Sequence, residues 1–154
     1  MKLSKIFFIF CFMFLVFFKA QNQPHSIEIL DQMRISEPRN LVIFIHADWC
    51  KFCPAMKNSF EKNSEIKKII KSDFYFADLN AEEKREIVFS NREFSYHPTG
   101  NNIGLHQLAR ELGSIHGLLS YPTLVILNVK NEIIFQYNGF LNANEIVVVL
   151  EKFK

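Results

Sequence analysis

Leu41-Val42-Ile43-Phe44-Ile45-His46, followed without a break by Ala47-Asp48-Trp49-Cys50-Lys51-Phe52-Cys53, carries the main information in this chain. The first six residues are nearly all β-branched or apolar, which suits a central strand buried on both faces. The strand directs its C-terminal end at two cysteines separated by two residues. Downstream, Met56, Phe60, Ile66, Ile69 and Ile70 recur at helical periods, with a break and re-capping expected at Asn63-Ser64. The cysteines therefore fall where a buried strand gives way to a helix. There, first-turn N–H groups and the helix dipole favour an anion, so the Cys50 thiolate is expected to be stabilised. The thiolate is the nucleophile of disulfide exchange, and Cys53 stands close enough to resolve the mixed disulfide.

Other elements follow on either side. Ser26 is placed to cap a helix carrying Ile27, Leu30 and Met33, which Pro38 ends. Phe74 to Leu79 reads as the next strand, giving a right-handed β-α-β unit. Glu86–Phe89 and Glu93–Tyr96 about Ser90-Asn91-Arg92 read as a short hairpin, and Gly100–Gly104 as a loop. Leu105, Leu108, Ala109 and Leu112 mark a helix stopped by Gly113. Strands Thr123–Leu127 and Glu132–Tyr137 follow, joined by a turn near Lys130-Asn131. The closing helix, capped by Asn142 or Asn144, has an inner stripe of Ile146, Val147, Leu150 and Phe153.

The chain begins like a secretory signal. Lys2 and Lys5 precede an uncharged apolar run of 13 residues, Ile6 to Phe18, closed by Lys19 and followed by Ala20. Spanning a bilayer takes roughly 20 residues. Cleavage is expected between Ala20 and Gln21; an uncleaved signal that anchors the protein to the membrane is the alternative. The expected organisation is thus a signal over residues 1–20 and one domain over 21–154, its core at about 41–153 with an insertion at about 86–104. Removing Lys2, Lys5 and Lys19 from 18 basic residues leaves 15 against 16 acidic, so nothing argues for nucleic acid. Cys11 is removed too. The remaining pair closes too small a loop to be the disulfide framework of a secreted domain, and its role is read as chemical.

A β-α-β half followed by a helix and a β-β-α half resembles the thioredoxin fold: an α/β fold with a central mixed sheet flanked by helices, here with a hairpin and loop insertion before the third helix. Ala47-Asp48-Trp49-Cys50-Lys51-Phe52-Cys53 resembles the active-site segment of thioredoxin-like proteins. Its Ala-Asp-Trp-Cys opening is especially similar to the C-terminal periplasmic domain of the disulfide reductase DsbD. The resemblance implies that Cys50 is the exposed, attacking thiol and Cys53 the partly buried, resolving one. It also implies a cis-proline opposite the active-site helix. Of His97-Pro98-Thr99 and Tyr121-Pro122-Thr123, only the second leads into strand, turn, strand and helix, so Pro122 is expected to be cis and Pro98 an ordinary loop proline.

Trp49, Tyr121 and Pro122 are the expected substrate platform, although simple packing is an equal reading of Trp49. Lys51, Phe52 and Asp78 are expected to modulate the pair. Two positions depart from thioredoxin: Phe44 stands where that family has a buried aspartate, and Asp78 where it has a strand lysine. Asp78 either supplies a carboxylate near Cys53 or faces solvent. His46, His97, His106 and His116 lack finger-like pair spacing, so no metal is expected, and no cofactor is implied. The function expected is disulfide exchange with protein thiols, as a reductase in the periplasm or outside the cell, with a membrane thiol reductase as electron donor. The alternative is a non-catalytic module with a structural disulfide, using the 86–104 insertion to bind a partner.

Overall fold

The computed structural model describes residues 26–101 and 103–154, so the expected signal segment and Cys11 lie outside the described residues. Helix α1 (Ile27–Ser36) precedes β1 (Asn40–His46), α2 (Cys53–Lys62), α3 (Ser64–Asp73) and β2 (Phe74–Asn80). Two hairpins follow, β3 (Ile87–Phe89) with β4 (Arg92–Phe94) and β5 (Tyr96–Gly100) with β6 (Ile103–His106). Helix α4 (Gln107–Gly113), β7 (Thr123–Leu127), β8 (Ile133–Asn138) and α5 (Ala143–Phe153) complete the chain. The main sheet has the order β2-β1-β7-β8, with β1 parallel to β2 and antiparallel to β7.

Alternation along β1 organises two cores. Leu41, Ile43 and Ile45 join α1, α4 and the first hairpin on one face. Val42 and Phe44 join α2, α3 and α5 on the other. Strand β7 divides the same way, Val125 and Leu127 against Leu124 and Ile126. Period-2 side-chain direction explains why so apolar a run is needed: both faces of a central strand are covered by helices. Of the stripes expected on the helices, Ile27, Leu30, Met56, Phe60, Ile66, Ile69, Leu108, Ala109, Leu112, Ile146 and Leu150 are buried, while Met33, Ile70, Val147 and Phe153 are partly buried against the cores.

The helix ends refine the sequence reading. The Asn63 side chain accepts from the N–H groups of Glu65 and Ile66 at 3.0 Å each, so the expected break is a true re-capping between α2 and α3. Asn142 caps α5 reciprocally with Glu145, which settles the choice against Asn144. Ser26 does precede α1, but its side chain makes no cap bond.

The middle of the chain differs more. The first hairpin turns at Ser90 and Asn91, with φ of 52° and 57°, the left-handed pair that a tight hairpin needs. Its Ile87, Phe89 and Phe94 enter the α1-side core. Ser90 N–H donates to Asp31 and Arg85 pairs with Glu28, laying the hairpin along α1. In the stretch expected to be a loop, Gly100 ends β5 and Ile103 and Gly104 open β6 of another hairpin, and Pro98 sits in β5. Among the described residues β5 and β6 form a two-stranded sheet of their own, so Pro98 forfeits no ladder bond to a further strand there. Leu105 consequently belongs to β6, and α4 starts two residues later, at Gln107.

His106 supplies that start. Its fully buried imidazole accepts the Leu108 N–H at Nδ1 (3.2 Å), while Nε2 lies 3.2 Å from the Arg85 carbonyl, to which it donates. Both contacts require the neutral ring with its proton on Nε2. Burial pushes the His106 value down from its ordinary range, so as pH falls through about 6.5 the unfolded chain takes up the proton first. The contribution is therefore present above about pH 6.5 and lost below it. Urea unfolding at a series of pH values is expected to show this loss, separate from the more acidic carboxylate range. His106→Asn, which keeps an acceptor but does not titrate, is expected to remove it.

Candidate active site

Two successive tight turns carry the chain from β1 into α2. Cys50 N–H donates to the Ala47 carbonyl at 3.1 Å and Cys53 N–H to the Cys50 carbonyl at 3.3 Å. Cys50 and Cys53 are joined as a disulfide at this corner. Cys53 N–H, at the first residue of α2, also lies 3.2 Å from Cys50 Sγ. Pro54 is next, where a missing N–H leaves no partner unsatisfied. The expectation that Cys50 is the exposed member does not hold in this disulfide state: Cys50 is 6% and Cys53 4% exposed. What distinguishes the two sulfurs is the helix N–H, which is directed at Cys50.

The corner is tied to the neighbouring strand. Ala81 N–H donates to the His46 carbonyl at 2.7 Å, and Asn80 Nδ2 to Asp48 Oδ1 at 3.0 Å. Trp49 Nε1 donates to Glu82 at 3.3 Å, while its ring, 68% exposed, meets Tyr121 edge-on with centroids 5.4 Å apart. Tyr121 packs against both cores, and burial pushes its phenol up to about 12, so it stays protonated at physiological pH. The Tyr121-Pro122 bond is cis, as expected, and the Pro122 carbonyl accepts from Gly139 N–H at 2.8 Å. Gly139 has φ of 142°, a conformation open to glycine. Phe52 is exposed and faces Phe140 at 6.3 Å between centroids. Lys51 is exposed.

Behind Cys53 lies a pocket of ≈ 200 Å³, lined by Phe44, His46, Ala47, Asp48, Cys53, Pro54 and Lys57. Asp78 does not face open solvent. Its carboxylate lies between His46, with Nε2 2.7 Å from Oδ1, and Lys57, paired to Oδ2. His46 Nε2 comes close to Asp78 Oδ1 without full hydrogen-bond geometry, and among the described residues that buried oxygen has no other side-chain partner. Burial pushes the Asp78 value up, but contacts with His46 and Lys57 outweigh it and the net direction is down. Lys57 is raised by its bond to Asp78. Sequence reasoning weighed His46 only as a metal ligand and passed over Lys57. The available signal was a lone histidine ending an apolar strand, four residues before Cys50. Among the described residues no three His, Cys, Asp or Glu side chains are grouped to hold a metal ion.

The sequence profile of the thioredoxin-like domain matches residues 28–154. The chain belongs to the thioredoxin-like family. Solved structures share the fold at low identity. The chain is similar to a thioredoxin-fold protein from Helicobacter pylori, with 21% identity over 74% of this chain and 68% of that one, and a TM-score of 0.56. It is similar to the DsbD C-terminal domain of Neisseria meningitidis, with 17% identity, 81% and 90% coverage and a TM-score of 0.53. It is also similar to the DsbH oxidoreductase, with 16% identity, 87% and 85% coverage and a TM-score of 0.58. No curated protein matches the chain significantly. The thioredoxin-like chain thus carries a CxxC disulfide at the strand-to-helix corner of its fold. Among the described residues no helix is long and apolar enough to cross a membrane.

Proposed function

We propose that this protein is a thiol-disulfide oxidoreductase that acts on protein thiols and disulfides through Cys50 and Cys53, working as a reductase in the periplasm or outside the cell. The observation that carries the reading is the first-turn N–H of α2 directed at Cys50 Sγ. In the reduced protein the same donor favours the Cys50 thiolate and makes it the attacking sulfur. Thiolate attack on a substrate disulfide forms the Cys50–substrate bond and releases one substrate thiolate. Cys53, deprotonated, then attacks Cys50 Sγ, closes the protein disulfide and releases the second thiolate. Two electrons pass from the protein to the substrate, whose thiolates take protons from solvent.

Trp49, Tyr121 and the cis-Pro122 segment form the platform on which a substrate chain lies, with Phe52 and Phe140 extending its apolar rim. Lys51 sits beside the pair as an exposed charge, and Asp78 acts from beneath through His46 and Lys57. The reducing direction, and an electron supply from a membrane thiol reductase, rest on the resemblance of the Ala47-Asp48-Trp49-Cys50 opening to the DsbD segment. Export is supported by the basic and apolar residues before Ala20. The test is the reduction potential of the Cys50/Cys53 couple in protein lacking residues 1–20, equilibrated against glutathione or dithiothreitol while thiol state is followed in time. Rapid exchange with a potential near about −270 mV is expected. A value near about −120 mV would make the protein a disulfide donor instead. Sluggish exchange below about −300 mV would leave a structural disulfide and overturn the enzyme reading.

A further inference from the structure

Lys57, Asp78 and His46 form a chain of polar side chains in otherwise apolar surroundings, and it ends on the pocket that Cys53 also lines. Phe44 stacks on the His46 ring at 5.5 Å and packs against Phe60 at 5.7 Å, walling off the far side. A carboxylate 2.7 Å from Nε2 favours the neutral tautomer with its proton on that nitrogen. Nδ1 is then the acceptor nitrogen of the ring. The pocket, at ≈ 200 Å³, has room for water, whose share of liquid volume is about 30 Å³.

We infer that His46 is the proton acceptor for Cys53 in the resolving step, acting through water in the shared pocket, with Asp78 and Lys57 as positioning residues that fix its tautomer. This rests on the exchange activity proposed above. The Cys53 S–H proton passes by way of water to His46 Nδ1 as Cys53 Sγ attacks Cys50 Sγ. The Cys50–substrate bond breaks, the Cys50–Cys53 bond forms and the substrate thiolate departs. The imidazolium, stabilised by Asp78, returns its proton to solvent through the pocket. The charged and titratable groups facing His46 are Asp78 from β2, Lys57 from α2 and Asp48 from the connecting turn, with Glu61 of α2 acting on Lys57.

The test separates the two steps. Reduced protein is mixed with glutathione disulfide, and the Cys50–glutathione mixed disulfide is followed by acid quench and intact mass across pH 5.5 to 9. Wild type is expected to resolve it quickly, with a rate that depends less steeply on pH than that of His46→Gln. His46→Gln is expected to let it accumulate, with resolution on the order of 100-fold slower near neutral pH. Its rate should then rise with pH as free Cys53 thiolate does. Added imidazole is expected to restore resolution in His46→Ala, which a purely structural role of the side chain would not permit. If His46→Ala does not fold, His46→Gln alone decides. A His46→Gln profile that overlays wild type overturns the assignment of His46 while leaving the oxidoreductase reading intact. Wild-type protein that forms no mixed disulfide at all overturns both.

Discussion

Cys50→Ala is expected to abolish disulfide exchange while leaving the fold in place, with a loss on the order of 10³-fold or more, the scale on which covalent nucleophiles fail. Cys53→Ala is expected to behave differently. It keeps the attacking sulfur and accumulates a stable mixed disulfide with substrate, because nothing resolves it. The asymmetry follows from the single N–H directed at Cys50 Sγ, since near-equal burial gives no reason for one sulfur to react first. Turnover of a protein disulfide, together with mass analysis of trapped adducts, checks both halves. Equal rates for wild type and Cys50→Ala would leave only a binding module with a structural disulfide. Trapping through Cys53 in place of Cys50 would reverse the assigned roles.

Phe44→Ala is expected to cost about 3–5 kcal/mol, a large part of the stability of a domain this size. Phe44 is fully buried on the central strand, between His46 and Phe60, and Phe60 in turn packs on Phe76 at 4.8 Å. Removing its ring opens a cavity between β1 and α2, directly beneath the cysteines. The urea midpoint should fall with little change in slope. A loss below about 1 kcal/mol would mean that this core collapses around the gap. This same residue replaces the aspartate found at the matching position in thioredoxin. Phe44→Asp is therefore expected to cost still more, because the carboxylate would enter a site packed with aromatic rings.

Sequence patterns anticipated the main sheet because its central strands are buried on both faces, and continuous apolar runs such as Leu41–Ile45 and Thr123–Leu127 are how that burial is written. The cis-proline was legible for a related reason: only Pro122 leads into such a run. The second hairpin was not legible. Tyr96–Gly100 and Ile103–His106 are mostly exposed, hold Pro98, Gly100 and Gly104, and show no alternation, so nothing in their composition separates them from a loop. The first hairpin of the 86–104 insertion runs along α1 and contributes to the core, a placement that no local pattern specifies.

The sequence by itself determined the corner that carries Cys50 and Cys53 and the order of the elements around it, because those depend on local periodicity, turn residues and two-residue spacing. Tertiary structure alone decided which charges meet. Asp78 comes beside His46 because β1 and β2 pair in parallel with Asp78 opposite Phe44, and it reaches Lys57 because α2 packs over that face. Residues 46, 57 and 78 share no local period. Only strand register and helix packing bring them to one pocket, where low polarity makes their mutual pairing strong.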